Sequence, residues 1–329
     1  MKKLINAVDT VLQESLDGFA AAHANIVTLG ADRLFVRRRN LKPGKVALLS
    51  GGGSGHEPLH AGFVGHGMLD GACPGQVFTS PTPDQMAAAV AAIDQGAGTL
   101  FIVKIYEGDV MNFEMAADMA ERPVKTVLVD DDVAVEKSTY STGRRGVAGT
   151  MIVERMAGAA TEAGASLDEA QALGKDVNGR TRSMGVALTS CTVPAAGKPT
   201  FALGDDEMEM GVGIHGEPGR RRVKLAGADA IAAEMMGAVL DDLSPKAGSE
   251  AILLVNGFGG TPLMELYLMC HAANRVLSGR KVRPVRTLVG SYVTSLDMAG
   301  CSLTITLADQ NLLKLWDTPV HTAALRWGM

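Results

Sequence analysis

Two histidines sit inside glycine-rich stretches. His56 lies in Gly51-Gly52-Gly53-Ser54-Gly55-His56-Glu57-Pro58, after the apolar run Val46-Ala47-Leu48-Leu49, and His215 lies in Gly211-Val212-Gly213-Ile214-His215-Gly216-Glu217-Pro218-Gly219. Glycine permits positive φ and lets a ligand approach the main chain closely. A histidine in such backbone is presented to a small molecule rather than packed in a core, and two such loops suggest one active site using imidazole chemistry. Two bland readings stand beside this one: a purely structural glycine turn, and a histidine held for packing. A third stretch, Lys104-Ile105-Tyr106-Glu107-Gly108-Asp109, follows the strand predicted from Thr99. Ligands of α/β sheets bind beyond the carboxyl ends of strands, which favours a functional Asp109. A carboxylate beside Gly108 is otherwise a solvated or turn-capping residue.

The first glycine stretch is not a nucleotide loop. It lacks the Gly-Lys-Ser/Thr ending that reaches β/γ-phosphates, and it does not match the Gly-x-Gly-x-x-Gly register of dinucleotide sites. Its free backbone N–H groups could still hold a small polar ligand or its phosphate. Other polar clusters read as structural. Asp130-Asp131-Asp132 could be read as a metal cluster, but adjacent carboxylates at a strand end face different directions. Arg144-Arg145 could touch a phosphate or hold the acidic loop, the ion pair being the favoured reading. Arg220-Arg221-Arg222 is a solvated run that could also meet an acidic partner. Local context assigns no catalytic role to His60, His66, His271 or His321, and Met208-Glu209-Met210 reads as strand core on one face.

The elements that must position these residues follow from periodicity. Leu4, Val8, Val11, Leu12, Leu16 and Phe19 recur at helical spacing. Strands are predicted at 46–50, 99–105 and 125–130. Thr82-Pro83-Asp84 predicts an N-cap with proline at the first helical position, opening a helix through Ile93. An alanine-rich helix follows Gly146, and Ser166 with Glu169 forms a capping box for the next. Further strands are predicted at 184–189, 208–212, 251–256, 285–290 and 302–307, with helices over 228–240 and 262–277. Strands alternating with helices give an α/β fold: two α/β domains with mixed sheets flanked by helices, divided as 1–182 and 183–329.

Bulk properties narrow the class. The 329 residues carry a net charge of −5, which argues against a nucleic-acid footprint. No apolar stretch approaches the ~20 residues of a membrane helix. The two lysines near the N-terminus have no apolar run behind them, so no signal peptide is expected. Cys73, Cys191, Cys270 and Cys301 show none of the paired metal spacings and are expected to be reduced. A cytoplasmic enzyme subunit is the expectation.

Several motifs together carry a family resemblance. The two histidine loops, Gly75-Gln76-Val77-Phe78-Thr79-Ser80-Pro81, Gly143-Arg144-Arg145-Gly146-Val147-Ala148, Cys191-Thr192-Val193-Pro194, Thr294-Ser295-Leu296-Asp297-Met298 and Trp316-Asp317-Thr318-Pro319-Val320-His321-Thr322 all resemble the substrate-binding K subunit of dihydroxyacetone kinases. The similarity runs in order from Met1 to Met329. It implies that the histidine matching His215 adds through a ring nitrogen to the substrate ketone, giving a covalent hemiaminal that glycerol cannot form. It also implies that His56 and Asp109 are acid/base groups at the reacting hydroxyl. Lys104 donates a hydrogen bond to substrate, Gly53 contacts it through the backbone, and Ser80 is a weaker binding candidate.

The chain carries no Walker loop or kinase signature. The resemblance therefore implies no cofactor or metal on this chain. ADP/ATP with Mg²⁺ is expected on a separate nucleotide-binding L subunit, recharged in phosphotransferase systems by an M subunit using phosphoenolpyruvate. The implied ligand is dihydroxyacetone or a related small ketose, and the implied oligomer a homodimer. One departure stands out: Ile105 and Glu107 replace the asparagine and threonine usual in the family. They motivate a rival, a kinase subunit for a longer ketose such as erythrulose, though a neutral strand-end substitution is equally open. A rival of another class is a dihydroxyacetone-sensing coactivator that passes no phosphate, and a self-sufficient ATP kinase is disfavoured.

Overall fold

The computed structural model describes residues 2–134, 143–217 and 219–329. Met1 and Pro218, both in stretches that carry the resemblance, fall outside the described residues. The chain opens with α1 (Val11–Ala22), β1 (Val27–Leu29), β2 (Val36–Arg38), β3 (Ala47–Ser54), β4 (Gly65–His66) and β5 (Gly71–Val77). It continues through α2 (Pro83–Ile93), β6 (Thr99–Lys104), α3 (Glu107–Met119), β7 (Val124–Val129), α4 (Gly149–Glu162) and α5 (Leu167–Gly179). Then come β8 (Thr181–Ala187), β9 (Glu207–Met210), β10 (Arg221–Lys224), α6 (Ala228–Leu243), β11 (Glu250–Gly257) and α7 (Leu263–Gly279). The last elements are β12 (Arg283–Gly290), β13 (Gly300–Leu307), α8 (Gln310–Asp317), β14 (Val320–Thr322) and β15 (Arg326–Trp327).

These elements form two compact units that interleave in sequence. One comprises Met1–Val129, Val153–Asp176 and Lys314–Met329, the other Asp130–Ile152 and Val177–Leu313. The division differs from a single cut after residue 182. β8 crosses that position and lies between β9 and β13 in the second sheet. The C-terminal residues join the first unit because β14 pairs antiparallel with β4, His321 opposite His66.

The first unit holds a six-stranded sheet in the order β1-β2-β5-β3-β6-β7. β5, β3, β6 and β7 are parallel to their neighbours in that run, while β1 and β2 add an antiparallel edge. β3 and β6 are buried at every position, which explains continuous apolar runs instead of alternation. Met86, Val90, Ile93, Phe101 and Phe113 build the core on one side of this sheet. The second unit holds a mixed sheet, β10-β9-β8-β13-β11-β12, in which only β11 and β12 run parallel. The expected α/β class with mixed, helix-flanked sheets holds in both units.

Local signals fall where expected around α2 and α5. The Gln85 side chain accepts from the Thr82 N–H at 2.9 Å, completing a capping box with Pro83 at the first helical position. At α5, Ser166 N–H donates to the Glu169 carboxylate at 2.8 Å, and Glu169 N–H donates back to Ser166 Oγ at 3.3 Å. One expectation needs correction. The first helix starts at Val11, not Leu4; Leu4 is fully exposed, so the apolar period runs on with nothing to pack against. The bland alternative for Asp109, a solvated turn carboxylate, does not apply: Glu107 opens α3 and Asp109 lies buried in its first turn.

Candidate active site

In the first unit the site residues come from the carboxyl ends of three adjacent parallel strands. β5 leads to Ser80, β3 carries Gly53 and leads to His56, and β6 ends at Lys104 just before Asp109. This is where such sheets bind ligands.

The glycines of the first loop are strand, not turn. Gly51, Gly52 and Gly53 pair in register with Cys73, Pro74 and Gly75 of β5, and Gly55 alone among the loop's glycines takes a left-handed φ, at 104°. Glycine is required for space. A Cβ on Gly51 would meet the Cys73 carbonyl at 2.7 Å, on Gly52 the Lys104 Nζ at 2.4 Å, and on Gly53 the Thr79 nitrogen at 2.6 Å. The loop is then braced by its own Glu57, whose carboxylate accepts from the Gly55 N–H at 3.0 Å. His56 is buried and stacks on Phe78, ring centroids 5.1 Å apart.

Lys104 and Asp109 are both buried, with Nζ 3.6 Å from Oδ2. Burial pushes the Asp109 carboxyl above its ordinary value, while Lys104 and the Ser80 hydroxyl pull it back. The Lys104 ammonium also donates to His60 Nε2 at 2.8 Å and to the Gly51 carbonyl at 3.3 Å. His60 Nδ1 in turn meets Glu154 Oε1 at 2.6 Å and Ser50 Oγ at 2.9 Å. Burial lowers His60 well below its ordinary value and raises Glu154 to about 8.

Sequence reasoning missed His60, Glu154 and Ser50. The four-residue spacing from His56 to His60 was the available signal. Glu154 had none, because it arrives from the middle of α4.

In the second unit His215 occupies the loop joining the antiparallel strands β9 and β10. Gly211 and Gly216 have φ of 76° and 70°, so this loop does turn as expected. The His215 N–H donates to the Glu217 carboxylate at 2.8 Å. Arg145, 1% exposed, holds Glu217 at 3.2 Å, the Gly211 carbonyl at 2.8 Å and Asp132 at 2.6 Å. A Cβ on Gly216 would meet Thr200 Oγ1 at 2.7 Å and Cys191 Sγ at 2.9 Å. The expected ion pairs of Arg144 and Arg145 are present, Arg144 with Asp242.

The three aspartates at 130–132 diverge as expected. Asp130 takes Asn178, Asp131 takes the Val147 and Gly149 N–H groups, and Asp132 takes Arg145. Among the described residues no group of three or more His, Cys, Asp or Glu could hold a metal ion. No described helix is long and apolar enough to cross a membrane.

In the first unit, a parallel-stranded site carrying a buried lysine, a carboxylate and a histidine suits acid/base chemistry on a small polar molecule; in the second unit, a histidine stands on a braced glycine loop. The chain belongs to the Dak1 domain family, which matches residues 17–324. It is 50% identical over 328 residues to the dihydroxyacetone-binding subunit DhaK of the PTS-dependent dihydroxyacetone kinase 1 of Listeria innocua, covering 98% of this chain and 100% of that one. Among solved structures, the dihydroxyacetone kinase operon co-activator Dha-DhaQ matches with a TM-score of 0.90 at 33% identity, covering 94% of this chain and 97% of that one. The dihydroxyacetone kinase of C. freundii matches with a TM-score of 0.88 at 33% identity, covering 98% of this chain and 60% of that one.

Proposed function

We propose that this chain is the dihydroxyacetone-binding subunit of a dihydroxyacetone kinase, a phosphotransferase acting on an alcohol. The observation that carries this reading is the convergence of Ser80, Gly53, His56, Lys104 and Asp109 on the carboxyl ends of three neighbouring strands, in a chain that aligns end to end with a subunit of that name. His215 anchors the ketone. One ring nitrogen adds to the carbonyl carbon, the C=O π pair moves to oxygen, and the proton the ring gives up ends on that oxygen. His56 with Asp109 handles the single proton of the primary hydroxyl, a contribution of about 10²–10⁴ in rate. That proton passes to one of the two as the hydroxyl oxygen bonds to the phosphoryl group and the bond from that group to its donor breaks. Lys104 donates to the substrate, and Gly53 and Ser80 line it. Phosphoryl transfer depends mainly on positioning and charge stabilisation, which suits a subunit that holds acceptor only.

The donor in this reading is ADP/ATP with Mg²⁺ on a separate L subunit, fed from phosphoenolpyruvate through an M subunit. The working form is a cytoplasmic homodimer. Dihydroxyacetone is the ketose of this reading. Of the two departures, Glu107 is exposed at the start of α3, where an acidic residue favours the helix N-terminus, and Ile105 is half-buried just past β6.

The test is native mass spectrometry with dihydroxyacetone on the wild type and on His215→Ala, followed by turnover with an L subunit. An adduct lost in the variant, with phosphorylation by the wild type, is expected. An adduct without turnover would favour the coactivator reading, which the Dha-DhaQ likeness keeps open. No adduct with dihydroxyacetone or erythrulose would overturn the His215 role.

A further inference from the structure

We propose that His60, backed by Glu154, is a positioning residue that accepts a hydrogen bond from Lys104 and so aims the lysine ammonium at the substrate. The inference rests on the kinase reading above for its functional meaning, and on geometry for its substance.

Lys104 is fully buried at the end of β6. An ammonium has three N–H bonds and no acceptor. Two of them are committed backward, to His60 Nε2 at 2.8 Å and the Gly51 carbonyl at 3.3 Å. The third is left for the side where Asp109 Oδ2 stands at 3.6 Å. Since lysine can only donate, His60 Nε2 must accept, and its proton must therefore sit on Nδ1.

The surroundings of Nδ1 agree. It faces Glu154 Oε1 at 2.6 Å and Ser50 Oγ at 2.9 Å. Ser50 donates its own proton to the Ile102 carbonyl at 2.7 Å, so it turns a lone pair to the ring. Burial, with Lys104 and His56 nearby, holds the ring neutral, as an acceptor must be. Gly52 leaves room for this pair: a Cβ there would lie 2.4 Å from Nζ and 3.4 Å from Nε2. A merely structural role would need only that the buried atoms be satisfied. A positioning role needs the Nε2 acceptor in particular.

Two substitutions separate these roles. His60→Asn keeps an amide at the level of Nδ1 but offers Lys104 no acceptor, whereas His60→Gln places an amide oxygen at the level of Nε2. With dihydroxyacetone and a competent nucleotide-carrying subunit, His60→Asn should raise KM about 10- to 100-fold, the worth of a hydrogen bond to a charged group, with little change in kcat. His60→Gln should recover most of that loss. Equal damage in both variants, or an unchanged KM in His60→Asn, would overturn the proposal.

A readout independent of turnover is the ¹⁵N spectrum of the wild-type His60 ring. A neutral ring protonated on Nδ1, with Nε2 bare, is expected. A proton on Nε2 or a charged ring would overturn the proposal. If the wild type fails to turn over, the kinase reading falls while this spectrum still decides the Lys104 acceptor. It decides equally if His60→Asn does not fold.

Discussion

At the residue scale, the two glycine-rich histidine loops use glycine for different reasons. Around His215 two glycines take left-handed φ, but around His56 the glycines of β3 are excluded volume. Gly52→Ala should therefore act through Lys104, since its Cβ would lie 2.4 Å from Nζ. Displacing that ammonium by about 1 Å is expected to lower kcat/KM for dihydroxyacetone on the order of 100-fold, measured by steady-state kinetics with a partner subunit. Each loop also carries a glutamate that accepts from a backbone N–H two residues earlier, Glu57 from Gly55 and Glu217 from His215. Glu217→Ala removes that brace from His215 and leaves Arg145 with one fewer carboxylate. Adduct formation with dihydroxyacetone, followed by native mass spectrometry, should fall, while the His56 side of the chemistry stays intact.

At the element scale, the helix starts legible to the residue in the sequence are the ones with local capping chemistry. Thr82-Pro83 and Ser166-x-x-Glu169 spell out their own caps, and α2 begins at Pro83 as expected. Ser166→Ala removes the hydroxyl that accepts from the Glu169 N–H and should cost about 1 kcal/mol, read as a lower urea midpoint with turnover unchanged. α3 was not announced. Met111, Met115 and Met119 along it are about half exposed, so apolar residues occupy its solvent side and blur the period. β5 was missed for a related reason: Gly71, Pro74 and Gly75 are residues that read as turn.

At the scale of the whole molecule, buried acids set the response to pH. Glu154 is raised to about 8 and Asp131 to about 6, each by burial. In the unfolded chain these carboxyls lose their protons near their ordinary values, while the folded chain holds them to higher pH. Between those limits the unfolded state binds fewer protons, so stability falls as pH rises. Glu154→Gln should flatten the fall in melting temperature between about pH 5 and 8, measured by calorimetry across that window. Arg155 is the other global anchor. Its guanidinium donates to the carbonyls of Gly67 and Trp316 at 3.0 and 2.8 Å, and also holds Thr318. It thus fastens the C-terminal segment to the first unit. Arg155→Leu takes the side-chain donor from the Gly67 carbonyl, while the Trp316 carbonyl keeps Trp327 Nε1 at 3.2 Å, and should cost about 1–3 kcal/mol, read as a drop in thermal midpoint.

The sequence alone determined the α/β class, the caps of α2 and α5, and His56, Asp109 and His215 as residues to watch, while Lys104 entered through the family resemblance. The former are encoded locally, as a period, a cap, a strand end or a glycine-flanked histidine. Only the tertiary structure decided the rest. It placed Lys314–Met329 with the first unit, because strand pairing between β14 and β4 leaves no mark at either position. It turned Gly51 to Gly53 from turn into strand, because what crowds them is a neighbouring strand and a lysine more than fifty residues away. It joined His60 to Lys104 and Glu154, because a buried donor must find its acceptor wherever the packing brings one, and sequence distance does not enter that requirement.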